Sequence, residues 1–119
     1  KEAFDATMPT LIQNRNLLNT NEGYGAFDGT EESLNYFDRG TIRLQNISQI
    51  LLITDGLQIP FQDPSKRDNW YESALFAFQN GIEALLHHIE AIEKSDPLCI
   101  LYPRLKLADD KTGILITFK

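Results

Sequence analysis

Acidic residues stand at the ends of two apolar segments of the chain. Asp55 directly follows the run 50–54, and Asp109 and Asp110 precede the run 113–118. If these runs are neighbouring antiparallel strands, the end of the first lies beside the beginning of the second, and the carboxylates project at one edge of the sheet. Clustered carboxylates repel each other unless they are protonated or neutralised by a cation. Oxygen ligands without histidine or cysteine nearby favour magnesium, manganese or calcium over zinc.

A purely structural role for these residues is the alternative. Asp55 is followed by Gly56, and an Asp-Gly pair after a strand is commonly no more than a turn. Asp109 and Asp110 would equally suit a turn before the last strand. Spacing alone therefore leaves both the metal site and the turns open.

The elements that would position these carboxylates follow from hydrophobic periodicity. The run 49–54 contains four consecutive apolar residues, which is typical of a strand covered on both faces, and we predict that it is the central strand of a sheet. A second apolar strand is predicted over 113–118. Asp63 and Pro64 suit the cap and the first residue of a helix.

The segment between these strands is predicted to be helical from about Asn69. Gly81 falls in its middle and indicates either a division into two helices or a close packing contact. Beyond Gly81, apolar residues recur with the period of an amphipathic helix. These residues are Ile82, Leu85, Leu86, Ile89 and Ile92.

The N-terminal third is predicted to contain a helix over about 3–18 and a short strand from Tyr24 that ends in a turn at Asp28-Gly29. A half-buried strand is predicted over 41–44, where apolar and polar residues alternate. The order of helix, strands, long helical segment and strand predicts an α+β fold with a mainly antiparallel sheet.

Composition limits the class of protein. A chain of 119 residues allows one domain, and no apolar run approaches the ~18–20 residues that a membrane-spanning helix requires. Seventeen acidic residues against eleven basic ones give a net charge of −6, which opposes nucleic-acid binding because that binding depends on Lys and Arg. We therefore expect neither a membrane nor a nucleic acid as partner.

Cys99 is the single cysteine of the chain. An intrachain disulfide is therefore excluded, and a reducing, cytoplasmic location is expected. Because Cys99 lies between Leu98 and Ile100, we expect a buried structural thiol rather than a nucleophile.

Three segments together resemble the metal-dependent serine/threonine protein phosphatases of the type 2C family. SQILLITDGLQIP (48–60) is similar to the strand and Asp-Gly motif near the end of that family's domain, and LYPRLKLADDKTGILITF (101–118) is similar to its closing motif. LIQNRNLLNTNEGYGAFDGTEESLNYFDRGTI (11–42) resembles the bacterial branch, in which an Arg-Asn helix leads into a Gly-Tyr strand. With the helical segment that ends at Glu93-x-x-Asp96, the resemblance covers nearly the whole chain.

The resemblance implies a fold of two antiparallel sheets packed together with helices outside, an α-β-β-α sandwich. The family's domain is a good deal longer than this chain, so residues 1–119 would be the C-terminal part of one catalytic domain. The chain also opens at Lys1 without an initiator Met, which favours a processed, tagged or cut piece of a longer protein.

Carried over by position, the resemblance implies that Asp55 and Asp109 bind the metal ions, which would be magnesium or manganese. Asp110 falls where many members have Asn, so its direct ligation is not implied. Thr112 matches a Ser or Thr that helps to shape the closing turn, and Gly56 completes the Asp-Gly pair. These three residues would support the two ligands.

The activity implied for the intact protein is two-metal hydrolysis of phosphoserine and phosphothreonine esters of a phosphoprotein in bacterial signalling. The ligands from the family's first half have no counterpart here, so we expect this chain to be inactive alone and to bind metal weakly. The alternative is a non-catalytic α+β interaction module that retains the phosphatase fold. A partial sandwich would expose a sheet face, and we expect self-association or pairing with the missing N-terminal part.

Two further motifs suggest chemistry but are given structural interpretations. Asp28-Gly29 superficially resembles the family's early Asp-Gly site, but it lies too close to Asp55 in sequence for the intervening elements, and we interpret it as a hairpin turn. His87 and His88 are adjacent in the predicted helix, so their side chains point about 100° apart and do not share a face. Both lie off the apolar stripe and are expected at the surface.

Overall fold

The computed structural model describes residues 2–63, 65–66 and 68–119. The chain divides into two compact units, of which the first ends at Arg43 and the second runs from Leu44 to Lys119. The two acidic turns, one carrying Asp55 and the other carrying Asp109 and Asp110, lie in the second unit, which therefore positions the candidate site.

The first unit begins with helix α1 (Glu2–Asn16), which confirms the helix predicted over about 3–18. The chain tightens where the helix ends, since the amides of Leu17 and Leu18 each bond a carbonyl three residues back. A short 3₁₀ helix at Glu32–Tyr36 follows later in this unit.

The strand predicted from Tyr24 is wrong, because Asn19 takes the hydrogen bonds that a neighbouring strand would offer. The Asn19 amide donates to the Tyr24 carbonyl at 2.9 Å. Its side-chain Oδ1 accepts from the Ala26 amide at 2.9 Å, and its Nδ2 donates to the Ala26 carbonyl at 3.2 Å. One buried side chain thus satisfies this backbone without a sheet.

The strand predicted over 41–44 is also wrong. Residues 41–44 are exposed throughout, and Ile42 exposes 78% of its surface. Nowhere in 2–63, 65–66 or 68–119 does a strand pair with this segment. Alternation of apolar and polar residues describes a strand face, but it does not supply the partner that a strand requires.

The sheet consists of two antiparallel strands, β1 (Gln49–Ile53) and β2 (Gly113–Thr117). This pairing confirms the strand predicted over 113–118. The register places Ile53 opposite Gly113, so the end of β1 lies beside the beginning of β2. The two acidic turns therefore leave the sheet at the same edge.

The two faces of the sheet differ in burial. On the inner face, Leu51 and Ile53 pack against the core. On the outer face, Leu52 and Ile114 lie opposite each other and expose 54% and 57% of their surfaces. The prediction that β1 is central and covered on both faces is therefore wrong, since this strand has one neighbour and one covered face in the part of the chain described.

Two helices, α2 (Trp70–Asn80) and α3 (Ile82–Ser95), pack against the sheet. Gly81 separates them with a φ of +89°, a conformation that residues with a side chain rarely adopt. The sequence predicted either a division into two helices or a close packing contact at Gly81, and the structure contains two helices.

The helix start predicted at Asp63-Pro64 is misplaced. The Asp63 carboxylate accepts from the amide and the hydroxyl of Ser65, at 2.9 and 2.7 Å, and so forms a local turn. Helix α2 begins only after Asn69. Pro64 lies outside the described residues.

The core lies between the helices and the inner face of the sheet. Its buried side chains are Leu57, Ala77, Leu85 and Ile89. Leu85 and Ile89 belong to the predicted apolar stripe of α3, and Ile82 and Leu86 of the same stripe pack beside them. The periodicity of this helix therefore identified its buried face.

The chain has an α+β fold of helices and an antiparallel sheet, as predicted. Within the described residues, no helix combines the length and the apolar character needed to cross a membrane.

Replacing Leu85 tests the position of the core. We expect Leu85→Ala to lower the free energy of unfolding by about 2–5 kcal/mol, because the side chain is fully buried and its removal leaves a cavity. The control is Leu98→Ala, at a leucine that exposes 76% of its surface, for which the loss is less than about 0.5 kcal/mol. Urea unfolding followed by circular dichroism measures both, and equal losses would contradict this core.

Candidate functional site

The site begins where β1 ends and the chain turns. Thr54 is bonded to the far end of the sequence: its amide donates to the Thr112 carbonyl at 2.9 Å, and its hydroxyl accepts from the Thr112 amide at 3.0 Å. The Asp110 carbonyl lies 3.2 Å from the same hydroxyl. These bonds extend the pairing beyond the strands and hold the Asp55 turn against the turn that carries Asp109 and Asp110.

Gly56 allows the two turns to approach closely. Asp55–Leu57 forms a short 3₁₀ turn in which Gly56 is buried. A Cβ at this position would collide with the carbonyl oxygen of Asp110. Any larger residue would therefore push the first turn away from the second.

Asp55 and Asp109 line one open cleft of about 400 Å³. Asp55 is exposed, and the Asp109 side chain retains 36% of its exposure. The other walls come from the loop after α3 and from α3 itself, and the remaining lining residues are Gly56, Gln58, Glu93, Arg104, Leu105 and Lys106. The structure thus brings together the two carboxylates that the sequence singled out.

Lys106 forms an ion pair with Asp109 in this cleft. Its Nζ lies 2.7 Å from Oδ1 of Asp109, and the Asp110 amide donates to the same oxygen at 3.0 Å. The hydrogen bond from Lys106, followed by that from the Asp110 amide, lowers the pKa of Asp109. The pKa of Lys106 is raised, mainly by Asp109 and to a smaller extent by the charges of Asp55 and Asp110.

Asp96 organises the loop that leads to the second acidic turn. It lies at the end of α3, is only 5% exposed, and accepts from the amides of Ile100 at 3.0 Å and Tyr102 at 2.8 Å. Burial raises the pKa of Asp96, but these amide donors, with Arg104, outweigh it and leave the pKa below its ordinary value.

Arg104 bridges the loop to the end of α3. Its Nη1 lies 3.2 Å from the Asp96 carboxylate, and its Nη2 donates to the Asp96 carbonyl at 2.6 Å. Its Nε donates to the Leu107 carbonyl at 3.2 Å. Because the guanidinium is bonded on several sides within the loop, Arg104 has a structural role beside the cleft.

Lys111 fixes the other side of the same turn. Its Nζ pairs with the Glu93 carboxylate at 3.0 Å, and both side chains are largely buried. It also donates to the Asp109 carbonyl at 3.1 Å. The backbone that carries Asp109 is therefore tied to α3 by two ion pairs, Glu93–Lys111 and Asp96–Arg104.

The chemistry of the donors suits a hard divalent cation. Asp55 and Asp109 line one cleft with carboxylate side chains, and the Lys106 ammonium pairs with Asp109 as a positive charge. Two carboxylates are fewer ligands than such an ion takes. Across the described ranges, no group of three or more His, Cys, Asp or Glu side chains is arranged to hold a metal ion.

The remaining site residues have backbone roles. Thr112 acts through its main chain, which pairs with Thr54, and Asp110 is exposed and offers its carbonyl to the Thr54 hydroxyl. Gly56 provides the close approach described above.

Asp28-Gly29 forms a local turn, and His87-His88 lie on an exposed part of a helix. Asp28 forms a turn by accepting from the Thr30 amide and hydroxyl, and Gly29 has a φ of +85°. The turn is confirmed, but no strands flank it. His87 and His88 are exposed as predicted, and the His88 ring stacks on that of Phe76 at a centroid distance of 4.8 Å.

The expectation of a buried thiol at Cys99 is wrong. The residue is half-buried and lies in a turn with a φ of +54°. Its amide bonds the Asp96 carbonyl at 3.1 Å, so the backbone of Cys99 belongs to the loop that Asp96 organises.

Sequence reasoning missed the residues that surround the carboxylates. The signal for Lys106 was its charge three residues before Asp109, and for Thr54 its position directly after a strand. Lys111 gave no comparable signal, because its partner Glu93 lies on a separate helix.

Comparisons of the chain with protein-family models, with curated proteins and with solved structures find no match.

The pH dependence of stability tests the role of Asp96. Its pKa is lower in the folded chain than the ordinary value of 3.8, so its contribution to stability is present above pH 3.8 and is lost as the pH falls through the folded-state pKa. We expect Asp96→Asn to be less stable than the wild type at neutral pH. The variant also loses less of its stability when the pH is lowered from about 6 to about 3.

Urea midpoints measured across this pH range give the comparison. The control is Asp68→Asn, at an exposed aspartate, which is expected to follow the wild-type pH dependence. An Asp96→Asn variant that loses as much stability in acid as the wild type would contradict the role assigned to this carboxylate.

Proposed function

We propose that this chain is the C-terminal part of the catalytic domain of a bacterial metal-dependent serine/threonine protein phosphatase of the type 2C family, acting in the cytoplasm on a phosphoprotein. The observation that supports it is the meeting of Asp55 and Asp109 in one cleft through the pairing of β1 with β2. These are the two positions that the family resemblance assigns to metal binding.

In this proposal Asp55 and Asp109 hold magnesium or manganese, and neither attacks the substrate. Two such ions supply an activated water and neutralise the phosphoryl oxygens of a phosphomonoester. The chain's own residues set the position of the carboxylates: Gly56 permits the approach of the two turns, and Thr112 bonds Thr54 at their base. Asp110 contributes its backbone carbonyl, which accepts from the Thr54 hydroxyl, and does not bind the metal.

The outer face of the sheet supports the proposed sandwich. Ile50, Leu52, Ile114 and Ile116 share this face in the antiparallel register, and the last three expose more than a third of their surfaces. An apolar sheet face of this kind is ordinarily covered by a second layer. We propose that the missing N-terminal part of the domain supplies that layer, and that self-association covers the face when it is absent.

A non-catalytic interaction module is the second candidate. The same apolar face favours it, because a partner protein could bind there with no metal present. The two candidates differ in the acidic cleft: the phosphatase requires Asp55 and Asp109 to bind a cation, whereas the module requires nothing of them.

Manganese binding separates the two candidates. We expect Mn²⁺, added to the ¹⁵N-labelled chain, to broaden the amide signals of residues 55–56 and 109–112 through its paramagnetism, with weak affinity because the ligand set is partial. Asp55→Asn and Asp109→Asn each remove a carboxylate ligand and are expected to reduce this broadening at least several-fold.

The matched control is Asp68→Asn, which makes the same change of charge at an exposed aspartate outside the cleft. It is expected to leave the broadening unchanged. Broadening that is spread over acidic residues elsewhere, or that survives both cleft substitutions, would contradict the metal proposal and favour the module.

The activity of the isolated chain tests its proposed status as part of a domain. We expect no hydrolysis of p-nitrophenyl phosphate by the purified 119-residue chain with Mn²⁺, because Asp55 and Asp109 alone do not complete two metal sites. Robust turnover that Asp109→Asn abolishes would show that the chain needs no further segment.

A further inference from the structure

Lys106 differs from the other cations near the acidic cleft. Arg104 is bonded within its loop on several sides, and Lys111 is largely buried against Glu93. The Lys106 side chain, by contrast, keeps 65% of its exposure and forms its ion pair with Asp109. It can therefore leave the carboxylate without disturbing the packing of the loop.

Lys106 would compete with a divalent cation for the carboxylate of Asp109. Oδ1 of Asp109 accepts from the Lys106 ammonium and from the Asp110 amide, so two donors already use this oxygen. An ammonium and a metal ion that share one carboxylate also repel each other. The lysine and the metal cannot both neutralise Asp109 at full strength.

We propose that Lys106 is an internal counter-cation that neutralises Asp109 and the nearby Asp55 in the metal-free chain, and that a divalent ion must displace it. This inference rests on the proposed metal site. It adds a regulatory element to that site, because the affinity for metal then depends on how readily the lysine leaves. Without Lys106, carboxylates that are no longer neutralised attract the ion more strongly.

The test is the affinity for Mn²⁺, measured by paramagnetic broadening of amide signals in the ¹⁵N-labelled chain. We expect Lys106→Met to lower the dissociation constant about three- to tenfold, the range for loss of one nearby charge at a solvent-exposed site. Lys106→Arg keeps the charge and is expected to stay within about twofold of the wild type.

The matched control is Lys94→Met. Lys94 is exposed and pairs with Glu90 on α3 at 3.8 Å, so its substitution changes the net charge equally without touching the cleft. We expect its dissociation constant to stay within about twofold of the wild type. Lys106→Gln is the second variant should the methionine side chain perturb the fold, as judged from the spectrum without metal.

The outcomes distinguish the two proposals. Tighter binding by Lys106→Met alone supports the counter-cation. Equal affinities in the wild type and Lys106→Met, equal tightening in Lys94→Met, or weaker binding after removal of Lys106 would each overturn it and leave the metal site standing. Absence of binding in both the wild type and Lys106→Met would overturn the metal site and the counter-cation together.

Discussion

The pairing of β1 with β2 is the constraint on which the candidate site depends. Thr54 and Thr112 are 58 positions apart in sequence, yet their backbones are bonded at the end of this two-stranded sheet. The register determines what stands at that end, because a shift of one residue would move every side chain of a strand to the other face. Such a shift would bury Leu52 in place of Leu51 and separate the two acidic turns.

Ion pairs from α3 stabilise the long loop that this pairing leaves. The chain between Ser95 and Gly113 has no regular secondary structure, so its backbone polar groups need other partners. Asp96 accepts several amides of this loop, and Arg104 donates to its carbonyls. These charged side chains therefore satisfy backbone groups of the loop that neighbouring strands would otherwise pair with. They also hold the loop in the conformation that brings Asp109 to the cleft.

The sequence predicted the elements whose signals are local or whose partners are apolar. Four consecutive apolar residues were sufficient to identify β1, and helical periodicity was sufficient to identify the buried face of α3. The strand over 41–44 failed, because an alternating pattern does not show whether a partner exists. The prediction of a strand from Tyr24 was wrong because Asn19, a polar residue that precedes this segment, forms the backbone hydrogen bonds that a partner strand would have formed. The prediction that both faces of β1 are buried was wrong, because a continuous apolar run does not show which elements cover the strand.

The residues of the candidate site also differ in how far the sequence identifies them. Asp55 and Asp109 could be identified because each stands beside an apolar strand, and the assumption of antiparallel neighbours placed them together. The charge of Lys106 three residues before Asp109 was a weak signal for their ion pair, because the pair forms in an irregular loop whose conformation depends on Asp96.

Under the proposed phosphatase assignment, one physical explanation would account for both the uncovered sheet face and the small number of metal ligands. Two sheets that pack face to face run nearly parallel and lie about 10 Å apart, so their strand ends meet at common edges. A second sheet on the face of Leu52 and Ile114 would bring its own turns to the edge where Asp55 and Asp109 stand. Side chains reaching across that spacing could complete the ligands. A single additional layer would therefore bury the apolar face and supply the missing donors, whereas an unrelated binding partner would account only for the face.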